Sequence, residues 1–235
     1  TYTITYAKGS GTGDITGLDG EFKTYGDAYV VTGTGHLYKT GYTQVGWTIG
    51  GERTDGEGII IELTEEKAVT LYPVWEINKY NITYCSFWGD EGELPALGFK
   101  THGVDYTVST SYSLTREGHT QIGWSTDYNS NNIDASSILT KITVDEDVYL
   151  YPVWEPHKYT VKYNAGSGTG TVPATEQVEY GYYSTKEYGS LSKTGYHQIG
   201  WAIGAENTNA EGEVYSFFLD ADVTLYPVWE INTYT

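Results

Sequence analysis

The chain has 235 residues, with 31 Asp+Glu against 13 Lys+Arg, 24 Tyr, 7 Trp, one Cys and no Met. A formal charge of −18 excludes an electrostatic grip on nucleic acid phosphates and argues against adhesion to an anionic membrane face. No apolar run approaches the roughly 20 residues of a membrane span, and 15% aromatic residues are too many for a disordered acidic chain. The composition therefore describes a globular, acidic, β-leaning protein and names no partner.

In chain order, Tyr2-Thr3-Ile4-Thr5-Tyr6 comes first and alternates large apolar with polar side chains, the signature of a half-buried strand. The glycine-rich stretch Gly9-Ser10-Gly11-Thr12-Gly13 reads as a turn, followed by a return strand around Phe22 to Tyr25. A further strand ends in Gly-Trp within Gly41-Tyr42-Thr43-Gln44-Val45-Gly46-Trp47. The closing strand is Val69-Thr70-Leu71-Tyr72-Pro73-Val74-Trp75, and its Pro73, which cannot donate to a ladder, is expected at an edge or a bulge. No segment sustains a 3.6-residue apolar period. A short helix would fit best between the two Trp of a copy or just before the Gly-Tyr marker.

These markers recur. Leu-Tyr-Pro-Val-Trp-Glu stands at 71–76, 150–155 and 225–230, and the Gly-Trp marker returns as Gly118 to Trp124 and Gly195 to Trp201. Opening strands return at Tyr80 to Tyr84 and Tyr159 to Tyr163, and a second return strand is expected at Gln177 to Tyr180. Six of the seven Trp thus occupy two equivalent positions: Trp47, Trp124 and Trp201, then Trp75, Trp154 and Trp229. The repeats are 1–78, 79–157 and 158–230, and 231–235 reproduces the first junction as the start of a fourth. Linkers of three residues, Ile77-Asn78-Lys79 and Pro156-His157-Lys158, should hold neighbouring copies close end to end. Acidity is spread over all three copies, which suits soluble, mutually repelling units. A chain that opens on Thr1 and has no Met reads as a piece of a longer protein, with any signal or anchor outside it.

The third copy carries Tyr159 to Ala165, Val172-Pro173, Val178-Glu179-Tyr180-Gly181, Lys193-Thr194-Gly195-Tyr196, Gly200-Trp201 and Asp222 to Tyr226 with Trp229. This ordered string resembles the Listeria–Bacteroides repeat, the family of the internalin B-repeat, and the likeness covers all three copies. The resemblance implies an elongated tandem array of small β-grasp (ubiquitin-like) units, mostly β or α+β, on a secreted or surface-anchored microbial protein. It implies a stalk or adhesion role without catalysis. Two departures stand out: Pro-Val precedes the closing Trp in every copy, and the second copy replaces the glycine turn by Ser86-Phe87-Trp88-Gly89-Asp90-Glu91-Gly92-Glu93.

The remaining chemistry is weighed residue by residue. The glycine turn could cradle a phosphate through its amides, but neither a Lys-Ser/Thr pair nor a helical pattern follows, and a hairpin turn is the better reading. His36, His102, His119, His157 and His197 pair with no recognisable nucleophile, and Cys85 has no evident base. Acidic clusters precede the closing strands at Glu65-Glu66, Asp145-Glu146-Asp147 and Asp220-Ala221-Asp222. The segment Asp127-Tyr128-Asn129-Ser130-Asn131 imitates the start of a calcium loop, yet Asn132 stands where Gly is needed and Ile138 where Glu is needed. Solvated turns are the preferred reading, with weak Ca²⁺ binding as the alternative. The six repeat-locked Trp are expected in the core. Phe87 and Trp88, in a loop without counterpart, are the candidate contact residues. The expectation is therefore no catalytic residue, no cofactor and no metal. A host or neighbouring-cell surface protein or glycan is the expected partner, beside adjacent repeats of the parent chain; nucleic acid is excluded, as is membrane insertion of this segment. The alternative is a carbohydrate- or glycoprotein-binding module that uses surface aromatics.

Overall fold

The computed structural model describes residues 1–18, 20–31, 33–34, 37–129, 134–209 and 212–233. Among them the same mixed four-stranded sheet occurs three times. In the first, the strands lie in the order Glu21–Lys23, Tyr2–Tyr6, Val69–Ile77, Tyr42–Ile49. The second is ordered Gly98–Thr101, Lys79–Tyr84, Val148–Pro156, His119–Ser125, and the third Glu176–Glu179, Lys158–Tyr163, Val223–Ile231, Tyr196–Ile203. The two middle strands of each sheet, opening and closing, run parallel, with Ile4 opposite Val69, Ile82 opposite Val148 and Val161 opposite Val223. The outer pairings are antiparallel.

Contacts group the chain into two compact units. One comprises Thr1–Tyr84, Pro95–Ser109 and Leu139–Leu150, the other Cys85–Leu94, Thr110–Ile138 and Tyr151–Thr235. The first therefore holds the first sheet together with the opening and return strands of the second. The other holds the Gly-Trp strand of the second sheet and all of the third.

The closing strand explains its own proline. Parallel pairing with the opening strand stops at Leu71, whose carbonyl accepts from the Ala7 amide. Beyond it Arg53 takes over, donating its amide to the Pro73 carbonyl and accepting from the Trp75 amide. The missing N–H of Pro73 thus falls where the ladder passes from the opening strand to Arg53, the one step at which the closing strand gives up a bond on this side. On the other side the Gly-Trp strand bulges between Gln44 and Gly46. Pro227 repeats the arrangement with Asn207 and Asn164. The proline accordingly sits in a central strand beside a bulge.

All six repeat-locked Trp are at most 1% exposed. Trp47 and Trp75 join Ile4, Tyr6, Leu37, Leu63 and Leu71 in one core; Trp201 and Trp229 join Val161, Tyr163, Leu191, Leu219 and Leu225 in another. Tyr6 meets Trp47 edge-on at 4.8 Å, and Tyr163 meets Trp201 in the same way at 4.7 Å. Burial of each such side chain contributes about 1.5–3 kcal/mol or more. The glycine before the first Trp is a packing requirement, because a Cβ on Gly46 would lie 2.5 Å from Ile59 Cγ2 and one on Gly123 would lie 2.6 Å from Ile138 Cγ2. The marker glutamine is buried as an acceptor: Gln44, Gln121 and Gln198 each take a backbone amide, from Leu37, Leu114 and Gly189.

No α-helix forms among the described residues. Where a helix was expected between Trp124 and Trp154 there is one 3-10 turn, Ala135–Ser137, capped by Asp134; a second, Thr16–Leu18, lies outside both expected places. These segments are rich in Ser, Thr, Asp and Gly, which bond to local backbone or exact the largest entropy loss in a helix.

Candidate functional site

The glycine turn does hold an anion, and the anion is the protein's own. Glu52 accepts from the Ser10 amide at 2.7 Å, from the Ser10 hydroxyl and from Lys39 Nζ at 3.0 Å. A Cβ on Gly9 would stand 2.6 Å from Glu52 Oε2, so the glycine lets the carboxylate approach. In the third repeat Glu206 does the same with Ser167 and Lys193. Burial works to raise the Glu206 carboxyl, but the Lys193 and Ser167 donors outweigh it and bring it down to about 2. Lys39 and Lys193 also lie over Trp75 and Trp229, at 5.7 and 5.4 Å from the ring centres.

The second repeat reaches the same end by other residues. Asp90, whose side chain is wholly buried, accepts from Arg116 Nε at 2.7 Å and from the Phe87 amide at 3.0 Å. Arg116 in turn lies over Trp154 at 4.7 Å and Phe87 at 5.7 Å. Phe87 is half-buried, stacked on Tyr151 at 5.6 Å, with Tyr128 closing the cluster at 5.0 Å from Tyr151. Trp88, one residue on, is 102% exposed. The two candidate contact residues therefore part company: Phe87 is anchored in a ring cluster and Trp88 stands in solvent. Together with Tyr128 and Asn129 they line a shallow depression.

The other candidates have internal partners. Lys23 and Lys100 are buried and pair with Glu66 at 3.0 Å and with Asp145. Asp147 and Asp222 each accept the amide of an opening-strand residue, Asn81 and Thr160, at 2.7 Å. Thus all three acidic clusters bond to the return or opening strand of their own sheet. Among the described residues no three His, Cys, Asp or Glu are grouped to hold a metal ion. Ser130, Asn131 and Asn132 of the calcium-like segment, and His36, lie outside the described residues. Burial pushes the half-buried Cys85 thiol above its ordinary value, and the Tyr151 hydroxyl pulls against it.

Two histidines, His102 and His157, turn out to belong to the joints between repeats, and His197 makes the equivalent bond at the end of the third, a role invisible in their own neighbourhoods. The middle residue of each linker bonds backward to the marker glycine: the Asn78, His157 and Asn232 amides donate to the Gly41, Gly118 and Gly195 carbonyls. Side chains repeat the link, as Thr43 with Asn78 at 2.8 Å, Thr120 with His157 at 3.0 Å and His197 with Asn232 at 2.9 Å. At the first joint, within the first unit, the linker carbonyl also accepts the His102 amide; at the second, within the other unit, it accepts the Tyr180 amide. His102 further pairs with Asp145 at 2.8 Å. The signal missed in the sequence was the pairing of linker centre with the residue two places after the marker glycine.

A recurrent mixed sheet with a buried Trp pair, and polar groups bonded to one another, define a tandem β-repeat protein. A family model described as the Listeria-Bacteroides repeat domain matches residues 80–153 and 159–228. The chain belongs to this family. It is also 27% identical, over its whole length, to a "Putative Gly-rich membrane protein" of Evansella cellulosilytica, and 27% identical over 71% of its length to a "Putative membrane protein" of the same organism. It spans 27% and 23% of those two chains. No solved structure matches it. No helix among the described residues is long and apolar enough to cross a membrane.

Proposed function

We propose that the chain is a non-catalytic segment of an extracellular, surface-held or secreted microbial protein, in which repeats 1–78, 79–157 and 158–230 act as a stalk that carries or spaces other parts. The observation that carries this reading is the internal use of the recurrent polar groups. Glu52, Glu206, Lys23, Lys100, Asp147 and Asp222 each serve the fold of their own repeat, which leaves no recurrent acid, base and nucleophile set for chemistry among the described residues. The β-grasp reading draws support from the strand order, with return, opening, closing and Gly-Trp strands side by side and the middle pair parallel. The membrane names of the two longer relatives fit a surface setting. The first repeat, outside the matched segments, is read as a family member because it has the same sheet and the same Trp pair.

A second reading rests on Trp88. A fully exposed indole beside an aromatic cluster is a platform for a sugar ring or a protein side chain, and the acidic surface would select a neutral or basic partner. One screen separates the two readings. The folded chain and a Phe87→Ser, Trp88→Ser double variant are tested against glycan and cell-surface protein panels. Absence of binding by the folded chain is expected of a stalk; binding lost in the double variant would replace that reading with the second.

A further inference from the structure

Each joint has a plug and a socket. The socket is the marker glycine in left-handed conformation, φ +77° at Gly41 and +67° at Gly118, together with the linker carbonyl beside it. The plug is the aromatic residue just after the return strand of the next repeat, His102 or Tyr180, each followed by glycine. A Cβ on Gly41 would lie 1.9 Å from His102 Cδ2, and one on Gly118 would lie 2.2 Å from Tyr180 Cγ. The ring occupies the place a side chain would take. The positive φ alone accounts for a glycine; the ring imposes a second, independent demand. Around the second plug, His119 meets Tyr180 edge-on at 5.7 Å. Burial first, then the Glu117 charge, hold the Tyr180 hydroxyl above its ordinary value.

The third repeat contains the socket complete and open. Gly195 has φ +82°, its carbonyl accepts from Asn232, and His197 secures the Asn232 side chain. Among the described residues nothing lies within 4 Å of where a Gly195 Cβ would be, and no backbone amide meets the Asn232 carbonyl. The matching plug of the first repeat, Tyr25 before Gly26, is 72% exposed.

We propose that the Gly195–Asn232 face is a docking site for a following repeat of the same family, joined through the Asn232 linker. Its return strand is followed by Tyr or His before Gly, which sets that ring over Gly195 and donates the ring residue's amide to the Asn232 carbonyl. The occupant is argued from two features: the socket has the geometry of two filled ones, and the relatives are about four times as long as the aligned stretch. A short covalent linker supplies a high effective concentration for so small a contact. The inference stands whether the array is a stalk or a binder.

The test extends the full chain after Asn232 with a second copy of residues 79–157 and reads the Gly195 resonances by NMR. The added ring is expected to displace them upfield, and the amide of the added copy of His102 to exchange roughly tenfold more slowly than when that histidine is replaced by Ala. The Ala version should return Gly195 to its position in the unextended chain. Unmoved Gly195 resonances with the added repeat folded, or a displacement that survives the Ala replacement, would overturn the proposal. A Tyr180→Ala variant of the unextended chain checks the filled socket: unchanged Gly118 resonances there would overturn it too.

Discussion

Two alanines placed six residues apart in the first repeat should behave oppositely. Gly11 sits against the closing Trp: a Cβ there would come 2.7 Å from Trp75 Cζ2 and 3.0 Å from Cη2, with the Lys8 carbonyl at 3.1 Å. Trp75 is wholly buried and has no room to withdraw. Gly17 lies in the 3-10 turn with nothing within 4 Å, and neither glycine has a positive φ. Removing a glycine restricts the unfolded chain and stabilises by about 0.4–1 kcal/mol, a gain common to both variants. Overpacking against Trp75 costs about 1–3 kcal/mol, and only Gly11→Ala incurs it. The two variants should therefore differ by about 1–3 kcal/mol, or on the order of 1 M in urea midpoint. Equilibrium urea unfolding followed by Trp fluorescence measures the gap. Coincident midpoints would refute the packing of the turn on Trp75.

Trp201→Ala should cost about 3–5 kcal/mol in the same assay, and a neutral result would remove this residue from the core. Glu206 has a folded pKa of about 2 against an ordinary 4.5, so its contribution to stability is present above pH 4.5 and is lost as pH falls toward 2. Glu206→Gln should flatten the acid limb of a stability–pH curve in that window, and a curve of unchanged slope would count against the Ser167–Glu206–Lys193 clamp. Asp145→Ala should lower the urea midpoint more than Lys100→Met, because the first strands a buried ammonium whereas the second replaces it with an apolar chain. Equal losses would show that Lys100 finds another partner.

The strands that frame each sheet were legible because their residues repeat with period two and because Trp, too large to spend on a loop, returns at fixed places. Pro73 was legible as an exception, although its resolution was not: the partner that replaces the opening strand, Arg53, lies in a segment without periodic pattern. The same distance hid the anion site. Ser10 and Glu52 are 42 residues apart, and nothing local to either announces the other. In the second repeat the acid moved to Asp90 and the base became Arg116, so comparison of copies showed a loss where the structure shows a substitution of one clamp by another. Trp88 could be singled out only because it has no counterpart, which is a statement about copies and not about chemistry. The joints escaped because each combines residues of two copies, such as Gly41 and Asn78 with His102, and nothing local to any of them announces the others.

The parallel central pair has a mechanical meaning. A repeat is entered by its opening strand and left by its closing strand, and these two are direct neighbours pointing the same way, Ile4 to Tyr6 beside Val69 to Leu71. Tension along the polypeptide pulls the first toward its amino end and the second toward its carboxyl end. The bonds between them are then strained sideways and simultaneously, as rivets are when two overlapping plates are drawn apart, and cannot be peeled open singly from one end. With the same pair at the centre of each of the three sheets, every repeat meets a pull through a seam that runs along its core.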